Sequence, residues 1–181
     1  EEIFVVTISA KISVTNNSCI MAAKEFEGKI KIKVFDTKTV CFSEGIFALE
    51  AKKMIDKDFS LEEIENKLSD MRHLNTIYFA VNSLTYLVKN GRLSNAKGYI
   101  GKLLDIKPVL QVQESGEIVS IGNKRTIKSV LSSITSLVEE YVDHRPYQAY
   151  LIYTANPNLK AHFVSMIKEN LGLENLYESP S

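Results

Sequence analysis

The chain has 181 residues and a mass of 20.4 kDa, room for one medium domain or two small ones. Its 22 Lys and Arg residues balance 22 Asp and Glu residues, and a formal net charge of zero excludes a nucleic-acid binder that works by bulk positive field. Hydrophobic residues make up 45% and charged residues 24%, which excludes a disordered chain. Ile3 to Ile8, IFVVTI, reads as a short buried strand. A polar segment follows, Ser9 to Ser18, and then a predicted helix over Cys19 to Phe26, ended by Gly28. Ile30 to Phe35 is a second strand with one wetter face, carrying Lys31 and Lys33. Asp36, Thr37 and Lys38 form the turn after it. A helix is predicted over Ser43 to Asp56. Ser60 and Glu63 make a capping box for the next helix, Leu61 to Met71, whose apolar stripe is Leu61, Ile64 and Leu68. Thr76 to Val81 is a third strand. The order β-α-β-α-α-β argues for a mostly parallel sheet covered by helices.

The pattern changes near Asn82. Short helices are expected over Ser83 to Lys89 and Ser94 to Leu104. Ile106 to Gln113 and Glu117 to Ile121 read as strands joined by a hairpin at Glu114-Ser115-Gly116. Arg125 to Tyr141 is a long amphipathic helix. Arg145-Pro146 interrupts the chain. Gln148 to Tyr153 is a strand, Asn158 to Leu171 a helix ended by Gly172, and Leu173 to Glu178 a last strand. The expected fold class is therefore α/β. Residues 1–82 form part of a parallel-sheet α/β/α domain, and residues 83–181 form an α+β domain with an antiparallel sheet.

Most catalytic signatures are missing. His73, His144 and His162 show no metal-ligand spacing with cysteine or with one another. Cys19 and Cys41 form neither a CxxC site nor a disulfide framework, and both are expected to be small buried hydrophobes. There is no GxGxxG after the first strand, no GxxxxGK[ST] and no GxSxG. No run approaches the ~18 apolar residues of a bilayer span. No metal, cofactor, nucleic-acid partner or membrane insertion is expected. A reduced cytoplasmic setting is the default.

The positive feature lies after the first strand, where open parallel sheets bind their ligands. Ser9-Ala10-Lys11-Ile12-Ser13-Val14-Thr15 places short hydroxyls ahead of a helix N-terminus, a combination suited to a carboxylate or phosphate. The same residues could equally serve as helix N-caps, through Ser13 or Thr15.

Several segments, in order, resemble the DegV family of bacterial fatty-acid-binding proteins. ISAKISVTNNS at Ile8 to Ser18 resembles the family's ISSxLSGTYxSA. VFDTKTV at Val34 to Val40 resembles its V-I-D-S-K/R turn. YLVKNGRLSNAKGYIGKLLDIKPVLQVQESGEIV, Tyr86 to Val119, resembles its YLxKGGRIS run and the hairpin beyond; Gly91-Arg92, Ser94, Ala96, Gly101 and Lys107-Pro108 all stand at family spacing. The resemblance implies a fatty acid held between two domains. It also implies, for some members, a partner kinase that phosphorylates the bound carboxylate to an acyl phosphate. On it, Ser13 matches the serine of the family's SGT motif and is the first choice to hold the carboxylate, with Ser9 and Thr15 as second choices. Arg92 matches the arginine of GGRIS, and Arg125 the arginine ahead of the long helix. Both are expected at the head-group mouth or against the kinase.

Ala10, Val14 and Asn16 depart from that pattern. Val14 stands where the family has Gly, and a valine cannot take a positive φ cheaply. The family's opening strands with their Thr-Ser-Gln-Pro motif, and its closing His-Thr-Gly-Pro-Gly type segment, have no counterpart here. The chain is therefore expected to be a truncated member with an exposed sheet edge. Two rival readings stand beside a non-catalytic lipid carrier. One is an α/β hydrolase or transferase with Ser9 or Ser13 as nucleophile; the other is an interaction module with no ligand.

Overall fold

The apolar run at the N-terminus forms β1 (Glu2–Thr7), and the chain returns through α1 (Thr15–Lys24) to β2 (Lys31–Asp36). The computed structural model describes residues 1–94, 106–142, 146–154, 157–172 and 176–180. The two strands pair in parallel, Val5 opposite Val34 and Thr7 opposite Asp36. A parallel return needs a crossover, which α1 supplies. Both carboxyl ends therefore emerge side by side. Pairing continues past them, with Thr37 N donating to Thr7 O at 3.1 Å and Ser9 N to Thr39 O at 2.9 Å.

Helices α2 (Cys41–Ile55) and α3 (Leu61–Met71) follow, with a single 3-10 turn at Arg72–Leu74. Phe35, Phe47, Ala51, Ile64 and Leu68 form one core, against which Phe4, Val6, Met54, Phe59 and Met71 pack. The Leu61, Ile64 and Leu68 stripe of α3 is buried, as its spacing requires. Its capping box is present, Glu63 N donating to Ser60 Oγ at 3.3 Å and Ser60 N to Glu63 Oε2 at 2.9 Å. At the surface, Lys31 bridges Glu2 and Glu62, each at 3.1 Å. Cys41 is exposed rather than buried, because it opens α2 at φ 58° instead of sitting on its inner face.

The remaining elements are β3 (Ile77–Phe79), α4 (Thr85–Lys89), β4 (Lys107–Val112), β5 (Ile118–Lys124), α5 (Ile127–Val142), β6 (Tyr150–Tyr153), α6 (Pro157–Leu171) and β7 (Tyr177–Pro180). A three-stranded sheet has the order β3-β4-β5. The expected hairpin is therefore made, with Gly116 N donating to Gln113 O at 2.8 Å and Gln113 N to Glu117 O at 2.9 Å. Val109, Val130, Leu131 and Ile134 form a second core, joined by Tyr78, Ile127, Leu159 and Phe163 among others.

Two pairings differ from expectation. The third strand lies beside β4, not in the sheet of β1 and β2. Its run is apolar on both faces, so its periodicity names no neighbour. β6 and β7 pair in parallel, Tyr150 opposite Tyr177, instead of antiparallel. The 15-residue α6 between them is a crossover that brings the chain back in the same direction. The helix expected over Ser94 to Leu104 falls almost wholly outside the described residues.

By its internal contacts the chain forms two units. One comprises Glu1–Ile77, residues 87–94 and Gln111–Val119; the other comprises Tyr78–Tyr86, residues 106–110 and the described residues from Ser120 onward. Among the described residues, no helix is long and apolar enough to cross a membrane.

The first core predicts its own mutational cost. Ile64 is fully buried in it. Ile64→Ala should lower the free energy of unfolding by about 2–5 kcal/mol, against about 1 kcal/mol for loss of the cap in Ser60→Ala. Urea unfolding of both variants checks the ratio; equal effects would show that α3 is held by its cap rather than by its apolar stripe.

Candidate functional site

The carboxyl ends of β1 and β2 lead into the segment from Ile8 to Val14 and the turn from Asp36 to Thr39. A run of buried hydrogen bonds joins them. Asn16 Nδ2 donates to Thr7 Oγ1 at 2.9 Å, and Thr7 Oγ1 donates to Phe35 O at 3.1 Å. Thr37 Oγ1 donates to Thr7 O at 2.8 Å. Asp36 Oδ1 accepts from Lys38 N at 2.9 Å and from Ala10 N at 3.2 Å, so one carboxylate holds both loops. Arg72 donates to Asp36 O, and its guanidinium lies 4.4 Å from the Phe35 ring centroid.

Ser9 is fully buried. Its hydroxyl donates to Gly116 O at 2.7 Å and accepts from Lys11 N at 3.2 Å. Its carbonyl accepts from Ile12 N at 3.1 Å and Ser13 N at 3.0 Å. The segment thus closes into a tight turn that carries Ser13 forward.

Ser13 is half-buried and Thr15 exposed. Their hydroxyls are 2.7 Å apart, and Thr15 N donates to Ser13 Oγ at 3.2 Å. The N-cap position of α1 is Val14, whose side chain can accept no bond; Ser13 Oγ takes the first amide of the helix, that of Thr15. The first turn of α1 also carries no acidic residue. The hydroxyl pair therefore stands beside a helix N-terminus whose partial positive charge is not offset by a carboxylate of its own turn. Val14 sits at φ −79°, in the ordinary right-handed region, so it replaces the family's Gly without backbone strain.

Arg92 follows Gly91, whose φ of 67° turns the chain. Its Nε donates to Ile12 O at 3.0 Å and Nη1 to Asn90 O at 2.6 Å. It therefore grips the backbone just ahead of Ser13. Arg125 is exposed in the other unit, immediately before Thr126, which starts α5 by exchanging bonds with Ser129 at 2.8 to 3.3 Å. Glu44, in the first turn of α2, accepts a bond from the Ile8 backbone; burial pushes its carboxyl above the usual range, and that bond opposes the shift.

Motif reading missed Asn16, Asp36 and Gly116. Asn16 looked like a mere departure from a tyrosine, yet it ties α1 to β1. Asp36 looked like an ordinary turn residue. The Gly116 signal was present only as a hairpin glycine, and its partner lies 107 residues away. Among the described residues, no three His, Cys, Asp or Glu side chains gather into a metal site.

Comparison with known proteins bears on this geometry. The family model described as "Uncharacterised protein, DegV family" matches residues 1–180. A DegV domain-containing protein of Clostridium acetobutylicum is 29% identical over 172 residues, 95% of this chain and 61% of that protein. The crystal structure of a fatty acid binding DegV family protein from Streptococcus agalactiae superimposes with a TM-score of 0.88 at 26% identity, over 99% of this chain and 63% of that one. A DegV family protein from Eubacterium eligens, loaded with heptadecanoic acid, superimposes with a TM-score of 0.75 at 26% identity, over 100% of this chain and 66% of its own. This chain thus spans somewhat under two thirds of the length of the first two of these relatives.

The raised Glu44 carboxyl sets a sign for pH dependence. A folded pKa above the unfolded one means that the native state holds the proton more tightly, so this group's contribution is full below the unfolded pKa and is lost as pH rises through the folded value. Wild type should therefore gain stability relative to Glu44→Gln as pH falls from neutrality through the carboxylate range. Paired melting curves at several pH values measure the difference; a gap that stays constant with pH would exclude the burial of Glu44 as its cause.

Proposed function

The chain belongs to the DegV family, and from that premise we propose that it binds a long-chain fatty acid and positions the carboxylate at Ser13 and Thr15. The observation that carries this reading is the Ser13–Thr15 hydroxyl pair beside the acid-free N-terminus of α1. One hydroxyl proton is shared within the pair, leaving the other to donate to an anion. Solved relatives support the ligand class: the Streptococcus agalactiae protein is described as fatty acid binding, and the Eubacterium eligens protein carries heptadecanoic acid.

The energetics divide along the ligand. The acyl chain supplies most of the affinity, about 0.8 kcal/mol per buried CH₂. The head-group contributes a charge-assisted bond of about 1.5–3 kcal/mol and fixes orientation. In this proposal the chain makes and breaks no bonds. It presents the carboxylate to a partner kinase, which forms the acyl phosphate. Arg125, exposed and before a helix, is available to meet that partner; Arg92 spends its guanidinium on the loop at Ile12.

The hydrolase alternative finds little support. A serine nucleophile needs a base within hydrogen-bond reach. The hydroxyls of Ser9 and Ser13 instead meet the Gly116 carbonyl, the Lys11 and Thr15 amides and the Thr15 hydroxyl.

Ser13→Ala tests the reading. Lipid should still copurify, since the acyl tail is untouched, but the dissociation constant for palmitate should rise about tenfold or more. Acyl phosphate formation by the kinase should fall further than binding, because phosphoryl transfer depends on placement. Lipid mass spectrometry, a fluorescent-displacement titration and an acyl phosphate assay measure the three. Unchanged affinity together with unchanged phosphorylation would remove Ser13 from the site.

A further inference from the structure

We infer that Ser9 is a positioning residue, a latch between the ligand-bearing turn and the tip of the β4–β5 hairpin, and that Gly116 is glycine because the latch leaves no room for a side chain. The inference rests on the proposed role of Ser13. Ser9 is itself too enclosed to meet a ligand: it is fully buried, and its hydroxyl proton lies on Gly116 O at 2.7 Å. Ser9 Oγ itself accepts from Lys11 N, and the Ser9 carbonyl accepts from the amides of Ile12 and Ser13. Three consecutive amides of the turn are thus held by one residue, and that residue is anchored to the hairpin. Ser13 Oγ is two bonds from the last of these held backbones, so its position follows theirs.

Gly116 completes the argument from the other side. A Cβ built there would lie 2.3 Å from Ser9 Oγ and 3.2 Å from the Lys38 backbone. Its φ of 88° is, besides, one that side-chain-bearing residues rarely adopt. The hairpin tip can approach Ser9 this closely only as glycine. The carbonyl it offers is the acceptor that a buried hydroxyl needs, since an unpaired one in that position would be costly. A serine chosen only to cap a turn would need no partner 107 residues away.

Three measurements on the purified chain decide the matter. Amide hydrogen exchange reads the latch without any ligand. In Ser9→Ala, exchange at Lys11, Ile12 and Ser13 should accelerate about tenfold or more, while exchange in β1 and β2 stays as in wild type. Affinities for palmitate and for hexadecanol, which keeps the tail and lacks the carboxylate, read its effect on the site. Wild type should prefer palmitate, and Ser9→Ala should lose about tenfold in palmitate affinity with hexadecanol unchanged. Gly116→Ala, which attacks the latch from the hairpin, should reproduce both results. The double variant should be no worse than Gly116→Ala alone, because the two residues act through one contact. Turn amides that exchange as in wild type in both single variants would overturn the latch. Equal loss of palmitate and hexadecanol would assign Ser9 a purely structural role and also overturn it. A wild-type protein with no preference for palmitate over hexadecanol would instead defeat the functional reading, and with it the positioning role. If Ser9→Ala does not fold, Gly116→Ala alone carries the exchange and affinity tests.

Discussion

Parallel pairing of β1 with β2 is the constraint on which the rest of the site depends. It brings two strand ends out on the same side, and with them two loops whose backbone polar groups have exhausted the sheet. Those groups must find partners, because an unpaired buried amide or carbonyl costs as much as a lost bond. The chain meets the need with small polar side chains. Thr7, Ser9, Asn16, Thr37 and Thr39 are all buried here. Each short side chain reaches only its immediate surroundings, so the loops are drawn close and held rigidly. An apolar residue in place of Thr7, Ser9 or Thr37 would remove a hydroxyl from the carbonyl of Phe35, Gly116 or Thr7 respectively.

The rigidity matters for the role proposed for this turn. Flexible hydroxyls make poor anion sites, since ordering them on binding consumes much of the free energy gained. Here the turn is ordered beforehand from three directions: Asp36 on the amide of Ala10, Ser9 on the amide of Lys11, and Arg92 on the carbonyl of Ile12. The hydroxyls of Ser13 and Thr15 are turned toward each other. The residues that fix the turn come from β2, from the segment after α4 and from the hairpin, regions far apart in sequence.

That separation explains which parts were legible from the residues alone. The strands β1 and β2, the stripe of α3 and its capping box follow from local periodicity, and all appear. The hairpin followed from Glu114-Ser115-Gly116. The placement of β3 beside β4 and the parallel pairing of β6 with β7 did not, because strand partners are chosen by the packing of helices between them. The helix start was misread in the same way. Pattern placed it at Cys19, whereas α1 begins at Thr15, since the buried bond from Asn16 to Thr7 draws the first turn onto the strand. Ser13 was singled out by the match of its segment to the family's motif, not by spacing alone; the bond that Gly116 O accepts from Ser9 was invisible, because a hairpin glycine needs no distant partner to justify it.

The departures from the family's motif become intelligible on the same ground. A glycine in the position of Val14 would give the loop freedom that this turn does not use, for the backbone there is right-handed helical at φ −79°. Valine removes that freedom from the unfolded chain and costs nothing in the folded one, a net gain of the kind expected wherever the native φ suits a side chain. Its side chain remains 75% exposed, directly beside the hydroxyl pair. An apolar group of that size left in water is a poor use of surface for a protein that holds only an anion. In the proposed binding mode it serves as a contact for the first methylenes of the acyl chain. One short segment, Ser13-Val14-Thr15, then offers polar, apolar and polar surface in sequence, the surface that the proposed function requires where a fatty acid's head-group meets its tail.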